Sequence, residues 1–580
     1  NQRRDNMKLD FFQNQIVISE SESENFLHLQ DLTTFNLCFR LRNKKYEIPL
    51  IVLPILLSAC KKANFRVELS DKLKEQINIM KTNRKTLEEL KEGKYTSLGS
   101  RLSRITKFII ETEQKHGFTL TPSQRETVIF GIYGRKILIA NYIGTGKTIT
   151  ANMIAKYFIH IGVVSKILIL VPASLVKNFY NDYVKFFGNS GIMMIGKETK
   201  KARLNLYTKF KNIDKFNFLV TNYEKCLFDY EELKVLNFEM VIVDEFHKLK
   251  NFLFAKRSEN FFKLINEQWN PKIRIPMSGT PIENKLFDLY PIFKLISGGS
   301  LLGGQKFFES NFVEYKTFYF KIEYKGRKIL KSETRAVGFK NLKFLINLAK
   351  PYIIRKKLHL PVGKYENTIL INSTKSFLDE IDKIKKLTPS GSTRYHRVRQ
   401  FICSPDREGY KENQKLEELN NILSQTDEKV VIFSFYLCSV ETISKFLNEK
   451  KIKYLIISGK TKEDPLDTIR KFSTEDYKVL ICTDKINAGH NIQVATILVE
   501  YEFPMKPSTS QQRIGRIYRK GQLSDVKVFS FVMKNTVEEK IYDLYQLKKD
   551  LIEQAIENMD QKVLEKIDNE FEQKIMKEFD

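Results

Sequence analysis

Two short stretches of this 580-residue sequence carry side chains able to handle a nucleoside triphosphate. The first, Asn141-Tyr142-Ile143-Gly144-Thr145-Gly146-Lys147-Thr148, lies between an apolar run, Ile137–Ala140, and a helical pattern, Thr148–His160. A strand–loop–helix turn of this kind aims backbone N–H groups at an anion, and glycine at 144 and 146 removes the Cβ that would block the approach. Lys147 would reach the β- and γ-phosphates and the Thr148 hydroxyl would ligate Mg²⁺, so ATP and Mg²⁺ are the expected cofactors. Asn141 stands where such a loop usually has its first glycine. The second stretch, Val241-Ile242-Val243-Asp244-Glu245-Phe246-His247, is an apolar strand ending in two carboxylates. In a parallel sheet that end faces the ligand. Asp244 would hold Mg²⁺ through water, Glu245 would orient and deprotonate an attacking water, and His247 would couple the γ-phosphate to movement.

The elements that must position these groups follow from the hydrophobic pattern. Ile137–Ala140, Ile167–Val171, Phe218–Thr221, Met240–Val243 and Ile273–Met277 are short apolar runs separated by amphipathic stretches, the texture of buried parallel strands. A second set, Val430–Phe435, Tyr454–Ile457, Val479–Thr483, Thr496–Glu500 and Val526–Phe531, repeats it. The expected organisation is α/β with two parallel-sheet lobes: an N-terminal accessory region at 1–115, a first ATP-binding lobe at 116–297, a basic insertion at 298–410, a second lobe at 411–536 and a helical tail at 537–580. Within the N-terminal region, strands are expected near Phe35–Arg42 and a charged helical pattern from Val67 to Glu92. In the insertion, Lys316–Lys331 alternates like a hairpin turning at Lys325-Gly326. Its aromatic stripe, Phe318–Tyr324, reads as core packing of that hairpin rather than as base stacking. Arg355-Lys356-Lys357 and Arg394-Tyr395-His396-Arg397 form a candidate basic track.

Composition sets the outer bounds. Lys and Arg number 97 against 69 Asp and Glu, a formal charge of +28, which favours a polyanionic partner; AT-rich codon usage contributes to the same bias. The six cysteines are scattered with no Cys-x-x-Cys pair, which argues against a zinc module and a disulfide framework. The longest apolar run, Ile48–Leu57, is interrupted by two prolines and is about half the ~20 residues of a membrane span. An intracellular, soluble protein with no membrane partner is expected, in the cytoplasm if viral or plasmid-encoded and in the nucleus if chromosomal.

With both boxes in place, the chain resembles the superfamily 2 helicases, and within them the Swi/Snf-type DNA translocases and their bacterial RNA-polymerase-recycling relatives. Leu120-Thr121-Pro122-Ser123-Gln124 is similar to the family's adenine-reading segment, which implies that role for Gln124. Val171-Pro172-Ala173-Ser174-Leu175 and Val220-Thr221-Asn222-Tyr223 resemble its strand-contacting motifs. Asp244-Glu245-Phe246-His247-Lys248-Leu249-Lys250-Asn251 matches the longer acidic box of this branch, and Ser278-Gly279-Thr280-Pro281-Ile282-Glu283-Asn284 its coupling motif. Arg399-Gln400-Phe401-Ile402-Cys403-Ser404-Pro405 is similar to a segment found between the lobes. Thr483-Asp484 with Gly489, Asn491 and Gln493 resembles a loop facing DNA and ATP. The last match, Gln511-Gln512-Arg513-Ile514-Gly515-Arg516-Ile517-Tyr518-Arg519-Lys520-Gly521-Gln522, is the most specific and resembles the arginine-finger helix. The resemblance spans about Phe118 to Leu551. Departures are Ile486 and Asn487, where relatives have small residues, and Pro465, where an arginine is common.

The resemblance implies two RecA-like lobes with ATP between them. Lys147, Asp244, Glu245, Arg516 and Arg519 would be catalytic, Ser278, Thr280 and His247 would couple, and Pro172, Ser174, Thr221, Thr483 and Asn491 would contact nucleic acid. Arg516 and Arg519, three apart, are expected on one helical face. The expected activity is a nucleic-acid-stimulated ATPase acting as a duplex DNA translocase in transcription, replication or chromatin processes. The alternatives are a strand-separating DNA or RNA helicase and a scaffold with a vestigial ATPase. Compactness and AT-rich coding resemble the transcription ATPases of cytoplasmic DNA viruses and linear plasmids, with an RNA polymerase or another protein as a candidate partner for residues 1–115.

Overall fold

The computed structural model describes residues 6–12, 15–19, 40–42, 45–249, 256–279, 289–297, 305–324, 327–389, 391–483 and 491–558. Up to residue 554 the chain divides into two compact units, residues 1–141 with 147–356, and residues 142–146 with 357–554. Both are α/β.

The first unit begins with a five-stranded mixed sheet in the order β3-β4-β2-β1-β5, formed by β1 (Asn6–Phe12), β2 (Gln15–Ser19), β3 (Arg40–Arg42), β4 (Lys45–Pro49) and β5 (Arg66–Leu69). Of the strands expected near Phe35–Arg42, the part before Arg40 lies outside the described residues. The helix expected from Val67 runs instead from Asp71 to Lys91, because Ser70 caps it by accepting from Leu73 N–H (3.3 Å) and leaves Arg66–Leu69 as a strand.

After the short strand β6 (Leu138–Ile139), a second sheet is formed by β7 (Ile167–Val171), β8 (Ile192–Met194), β9 (Phe218–Asn222), β10 (Met240–Val243) and β11 (Ile273–Pro276). Its order is β11-β10-β7-β9-β8, wholly parallel. β6 abuts β11 through the bridges Lys136↔Arg274 and Ile139↔Met277. Each of β7, β9, β10 and β11 is buried along its full length, which is why these strands are near-continuous apolar runs. β9 ends in the polar Thr221 and Asn222, and β11 carries Arg274, fully buried, whose guanidinium donates to Leu295 O (2.9 Å), Pro271 O (3.2 Å), Asn266 Oδ1 (3.1 Å) and Asn270 Oδ1 (2.9 Å).

β12 (Val313–Tyr324) and β13 (Arg327–Phe339) form the expected antiparallel hairpin; its turn residues, 325 and 326, lie outside the described residues. The expectation of core packing is overturned where it can be checked, because Phe318 and Tyr319 are exposed. A two-stranded ribbon has no second layer to bury its faces. The side chains of Phe320–Tyr324 are outside the described residues. The chain then returns as β14 (Ile353–Ile354) to pair with β6.

The second unit is built on a six-stranded parallel sheet in the order β15-β20-β19-β16-β18-β17, made of β15 (Lys364–Ile371), β16 (Val430–Phe433), β17 (Tyr454–Ile457), β18 (Val479–Cys482), β19 (Ile497–Glu500) and β20 (Val526–Met533). β15, an edge strand, falls within the segment that composition set apart as an insertion. Period-two alternation divides the core. Val430, Ile432, Val479, Ile481 and Val499 belong to one buried cluster, and Val431, Phe433, Leu480, Cys482 and Leu498 to another, one on each face of the sheet.

Candidate active site

The phosphate loop joins β6 to the helix Lys147–His160. Gly144 and Gly146 have φ of +85° and +82°, the left-handed backbone that glycine alone adopts without cost. Thr145 folds the loop on itself, its Oγ1 donating to Tyr142 O (2.7 Å). Asn141, buried, replaces the usual glycine and has three partners. Its Nδ2 donates to Thr127 Oγ1 (2.9 Å), its Oδ1 accepts from Lys356 N–H (2.9 Å), and its carbonyl accepts from Lys147 Nζ (3.0 Å). Thr127 was not singled out by the sequence and carries no local signal, and Lys356 was read only as part of the basic track. Thr127 belongs to the helix Pro122–Gly134, which also bears Gln124. Gln124 is buried in a capping box, with Oε1 accepting from Thr121 N–H (2.9 Å). Its amide is thereby oriented from within the same turn. Glu113 accepts from Leu120 N–H (2.7 Å) and pairs with Arg125 (2.6 Å), fixing the segment that leads into that helix.

The acidic box sits at the end of β10. Asp244 N–H continues the ladder to Leu170 O (2.9 Å), and Asp244 Oδ1 accepts from Glu245 N–H (3.0 Å). The Tyr223 hydroxyl, at the end of β9, donates to the Asp244 carbonyl. Glu245 itself has φ of +49°, a conformation that costs a non-glycine residue of order 1–3 kcal/mol and recurs at functional sites. Phe246, fully buried, donates from its N–H to Met277 O (3.0 Å), and Ser278 N–H donates to Ile139 O (3.1 Å). Ser278, also buried, therefore links the ends of β6 and β11, beside the strand that carries Asp244. The side chain of His247 and the whole of Thr280 lie outside the described residues.

The donor set suits a phosphate–magnesium group: an amide-lined loop, a lysine, a threonine and a strand-end aspartate. Among the described residues, no cluster of three or more His, Cys, Asp or Glu is placed to hold a metal on its own.

In the second unit, the helix Pro507–Ile517 carries Arg513 and Arg516, both buried. The expectation that Arg516 and Arg519 share a helical face does not hold, since the helix ends at Ile517 and Arg519 follows in the turn. The end is set by its carbonyls. Arg516 O accepts from Ile492 N–H (2.9 Å) and Ile517 O from Gln522 Nε2 (3.1 Å). The same buried amide also donates to Gln493 O (3.0 Å) and Ala495 O (3.2 Å). Gln493 in turn donates to Lys520 O (2.5 Å). The two glutamines thus tie the segment after Thr483 to the turn bearing Arg519. Arg513 is committed to structure: it lies over the Phe433 ring (5.3 Å) and 3.5 Å from Glu500. Glu500 also accepts from Ser510 (3.2 Å) and Ser530 (2.8 Å), and burial pushes its carboxyl above the ordinary glutamate range.

Comparison with known families decides the assignment. The SNF2-related domain matches residues 104–376 and the helicase conserved C-terminal domain matches 414–521, so Lys147, Asp244 and Glu245 fall in one and Arg516 and Arg519 in the other. The chain is a superfamily 2 helicase-like ATPase of the Swi/Snf type.

This Swi/Snf-type ATPase is 26% identical over 79% of its length to the ATP-dependent helicase YqhH of Bacillus subtilis, covering 83% of that protein. It is 25% identical over 67% of its length to the DNA repair protein rhp54 of Schizosaccharomyces pombe, of which it covers 51%. Among solved structures, it matches the SWI2/SNF2 ATPase core of Sulfolobus solfataricus in complex with dsDNA at 20% identity, covering 79% of this chain and 97% of that one with a TM-score of 0.35.

The residues expected to meet nucleic acid are unevenly presented in this ATPase. Ser174 and Asn491 are exposed, whereas Pro172, Thr221 and Thr483 are buried. The Thr221 hydroxyl donates to Ile195 O (2.8 Å), so it secures the backbone beside β9 rather than offering a donor to solvent. Of the basic track, Lys356 pairs with Glu126 (2.5 Å) and Arg397 with Glu408 (3.4 Å), while Lys357 is exposed. Arg399 and Cys403 are buried inside the second unit, with Arg399 donating to Phe503 O (2.8 Å). Cys60, Cys226, Cys403, Cys438 and Cys482 are free thiols, all buried; Cys38 lies outside the described residues. Among the described residues no helix is long and apolar enough to cross a membrane.

Proposed function

We propose that this ATPase is a duplex DNA translocase whose hydrolysis is switched on by nucleic acid. One observation carries the reading. Lys147 and the acidic box belong to the first unit, while Arg516, on a helix, and Arg519, in the turn after it, belong to the second. Each lobe has half of a catalytic set, so hydrolysis depends on the lobes closing. In that state Lys147 neutralises the phosphates, Glu245 takes the proton of the attacking water, and Arg516 and Arg519 offset charge on the transferring phosphoryl. Thr148 directly, and Asp244 through water, would hold Mg²⁺, which supplies charge neutralisation across the β- and γ-phosphates. Arginine fingers are worth about 10³–10⁵ in rate, so turnover without a track is slow. The names of relatives, a DNA repair protein among them, and the +28 charge favour DNA as the track. Ser174 and Asn491 are the exposed side chains for phosphate contacts, with Thr221 and Thr483 shaping the backbone around them.

The test measures ATPase activity with duplex DNA, single-stranded DNA and RNA in parallel, and pairs triplex displacement with strand displacement. Duplex-stimulated hydrolysis with triplex displacement and no unwinding is expected. Unwinding of a tailed duplex would instead establish a helicase. Lys147→Ala and Arg516→Ala should each lower stimulated turnover by about 10³ or more while the thermal melt stays intact; turnover surviving in either variant would refute that residue's role.

A further inference from the structure

The ribbon of β12 and β13 stands in solvent within the first unit. Every β12 side chain from Glu314 to Tyr319 is exposed, as are Leu330, Ser332 and Thr334 on β13. Three of these are aromatic: Tyr315 is 48%, Phe318 41% and Tyr319 70% exposed, beside Leu330 at 62%. Alternation puts Phe318 on one face with Lys316, whose ammonium lies 5.8 Å from the ring centroid. Tyr315, Thr317 and Tyr319 are on the other face, where Thr317 and Thr334 share a hydroxyl–hydroxyl hydrogen bond of 2.9 Å across the strands. Strands of 12 and 13 residues, rising ~3.3 Å per residue, make an arm on the order of 40 Å long. At its root lies a concavity lined by Lys306, Tyr315, Lys316 and Lys340 together with Glu309 and Glu314.

Charge decides what suits such an arm. Residues 313–339 contain seven Lys or Arg and three Glu. A second copy would bring like charge against like, whereas a polyanion is complementary. The exposed rings narrow the choice. A duplex keeps its base faces stacked inside the helix and offers rings no partner, while an unpaired strand offers both a base face and a phosphate at each step. We propose that the β12–β13 ribbon holds an unpaired nucleic-acid strand adjoining the duplex, with Tyr315, Phe318 and Tyr319 stacking on bases and Lys316 and Lys340 taking phosphates. This rests on the nucleic-acid reading above and extends it to a second, single-stranded contact.

The experiment uses the full chain without nucleotide and compares, by fluorescence anisotropy, a blunt DNA duplex with the same duplex carrying a single-stranded tail. The tailed duplex should bind about tenfold or more tighter. Phe318→Ala/Tyr319→Ala should erase that preference and leave blunt-duplex affinity, thermal melt and duplex-stimulated hydrolysis unchanged, while Tyr319→Phe, which keeps the ring, should retain it. Lys316→Glu/Lys340→Glu should flatten the salt dependence of tail binding by about one in log–log slope. Equal affinities for blunt and tailed duplex in the unmodified chain would overturn the proposal, as would a tail preference that survives loss of both rings. A ribbon serving a protein partner gives the first of these results. Failure of the motor reading shows elsewhere, as absence of duplex-stimulated hydrolysis.

Discussion

Glu245 illustrates how position and chemistry are separable at a single residue. Its left-handed backbone, φ +49°, follows directly on the Asp244 carbonyl held by Tyr223. The ladder from β10 to Phe246 closes on both sides of it, so the neighbours impose the conformation and the side chain bears the cost. Glu245→Gly should therefore stabilise the protein by up to about 1 kcal/mol while abolishing hydrolysis. Glu245→Gln should abolish hydrolysis and leave stability nearly unchanged. Denaturant unfolding of the two variants beside an ATPase assay separates the effects; a Glu245→Gly protein less stable than its parent would show that the side chain is anchoring the turn. The two carboxylates were legible as a candidate site because they end an apolar run downstream of a phosphate loop; alone, such a pair reads as a solvated turn. Their backbone was not, because φ at 245 is dictated by Met277 and Leu170, residues distant in the chain. Nor was the commitment of Thr221 to Ile195 O, since a threonine at a strand end reads the same whether its hydroxyl faces inward or out.

At the level of elements, the second unit hangs on a buried ion pair. Lys415 and Glu538 are both fully inaccessible and 2.7 Å apart, and Lys415 Nζ also donates to Tyr501 O (2.9 Å). Burial opposes the ammonium, but Cys403 and Glu538 beside it hold its pKa above the ordinary lysine value. Glu538 also accepts from Met533 N–H (3.1 Å), joining the end of β20 to the helix Val537–Asn558 and to the helix Gln414–Ser424. Lys415→Met, which strands a buried carboxylate, should cost about 3–5 kcal/mol, and Lys415→Met/Glu538→Leu should recover most of it. Thermal and denaturant unfolding of the single and double variants checks this; additive losses would mean the pair is not coupled. Strands of the two central sheets were readable because a strand buried on both faces is apolar throughout. β15 was not, since it lies at the sheet edge with its first four residues exposed, and its pattern Lys-Tyr-Glu-Asn-Thr carries little apolar signal. The arginine helix was recognisable by motif, but its end depends on Gln522 and Ile492, partners supplied by the turn and by another segment.

For the molecule as a whole, the +28 charge makes ionic strength a lever on binding and leaves the chemistry of the ATP site alone. Affinity for duplex DNA should fall by at least about a hundredfold between roughly 50 and 200 mM salt if several phosphates are neutralised. The hydrolysis rate at saturating DNA should change little. Filter binding and steady-state ATPase assays across that range test both halves, and an affinity independent of salt would remove the electrostatic account. The paired lobes were legible because each repeats the texture of alternating strand and helix. The N-terminal sheet was not, since its strands are short and mix Lys, Asp and Glu with apolar residues. Asn141 has a consequence at this scale too. A glycine in its place would have had no side chain to bond Thr127 and Lys356. The amide instead joins two paths, the helix that bears Gln124 and the backbone at Lys356, where the chain passes from the first unit to the second, while the main-chain carbonyl of the same residue takes Lys147. If Lys147 turned from the Asn141 carbonyl to a phosphate, both bonds of the Asn141 amide would stay in place, to Thr127 and to Lys356 N–H. The entrance to the loop is thus anchored by a side chain that a departing lysine does not disturb.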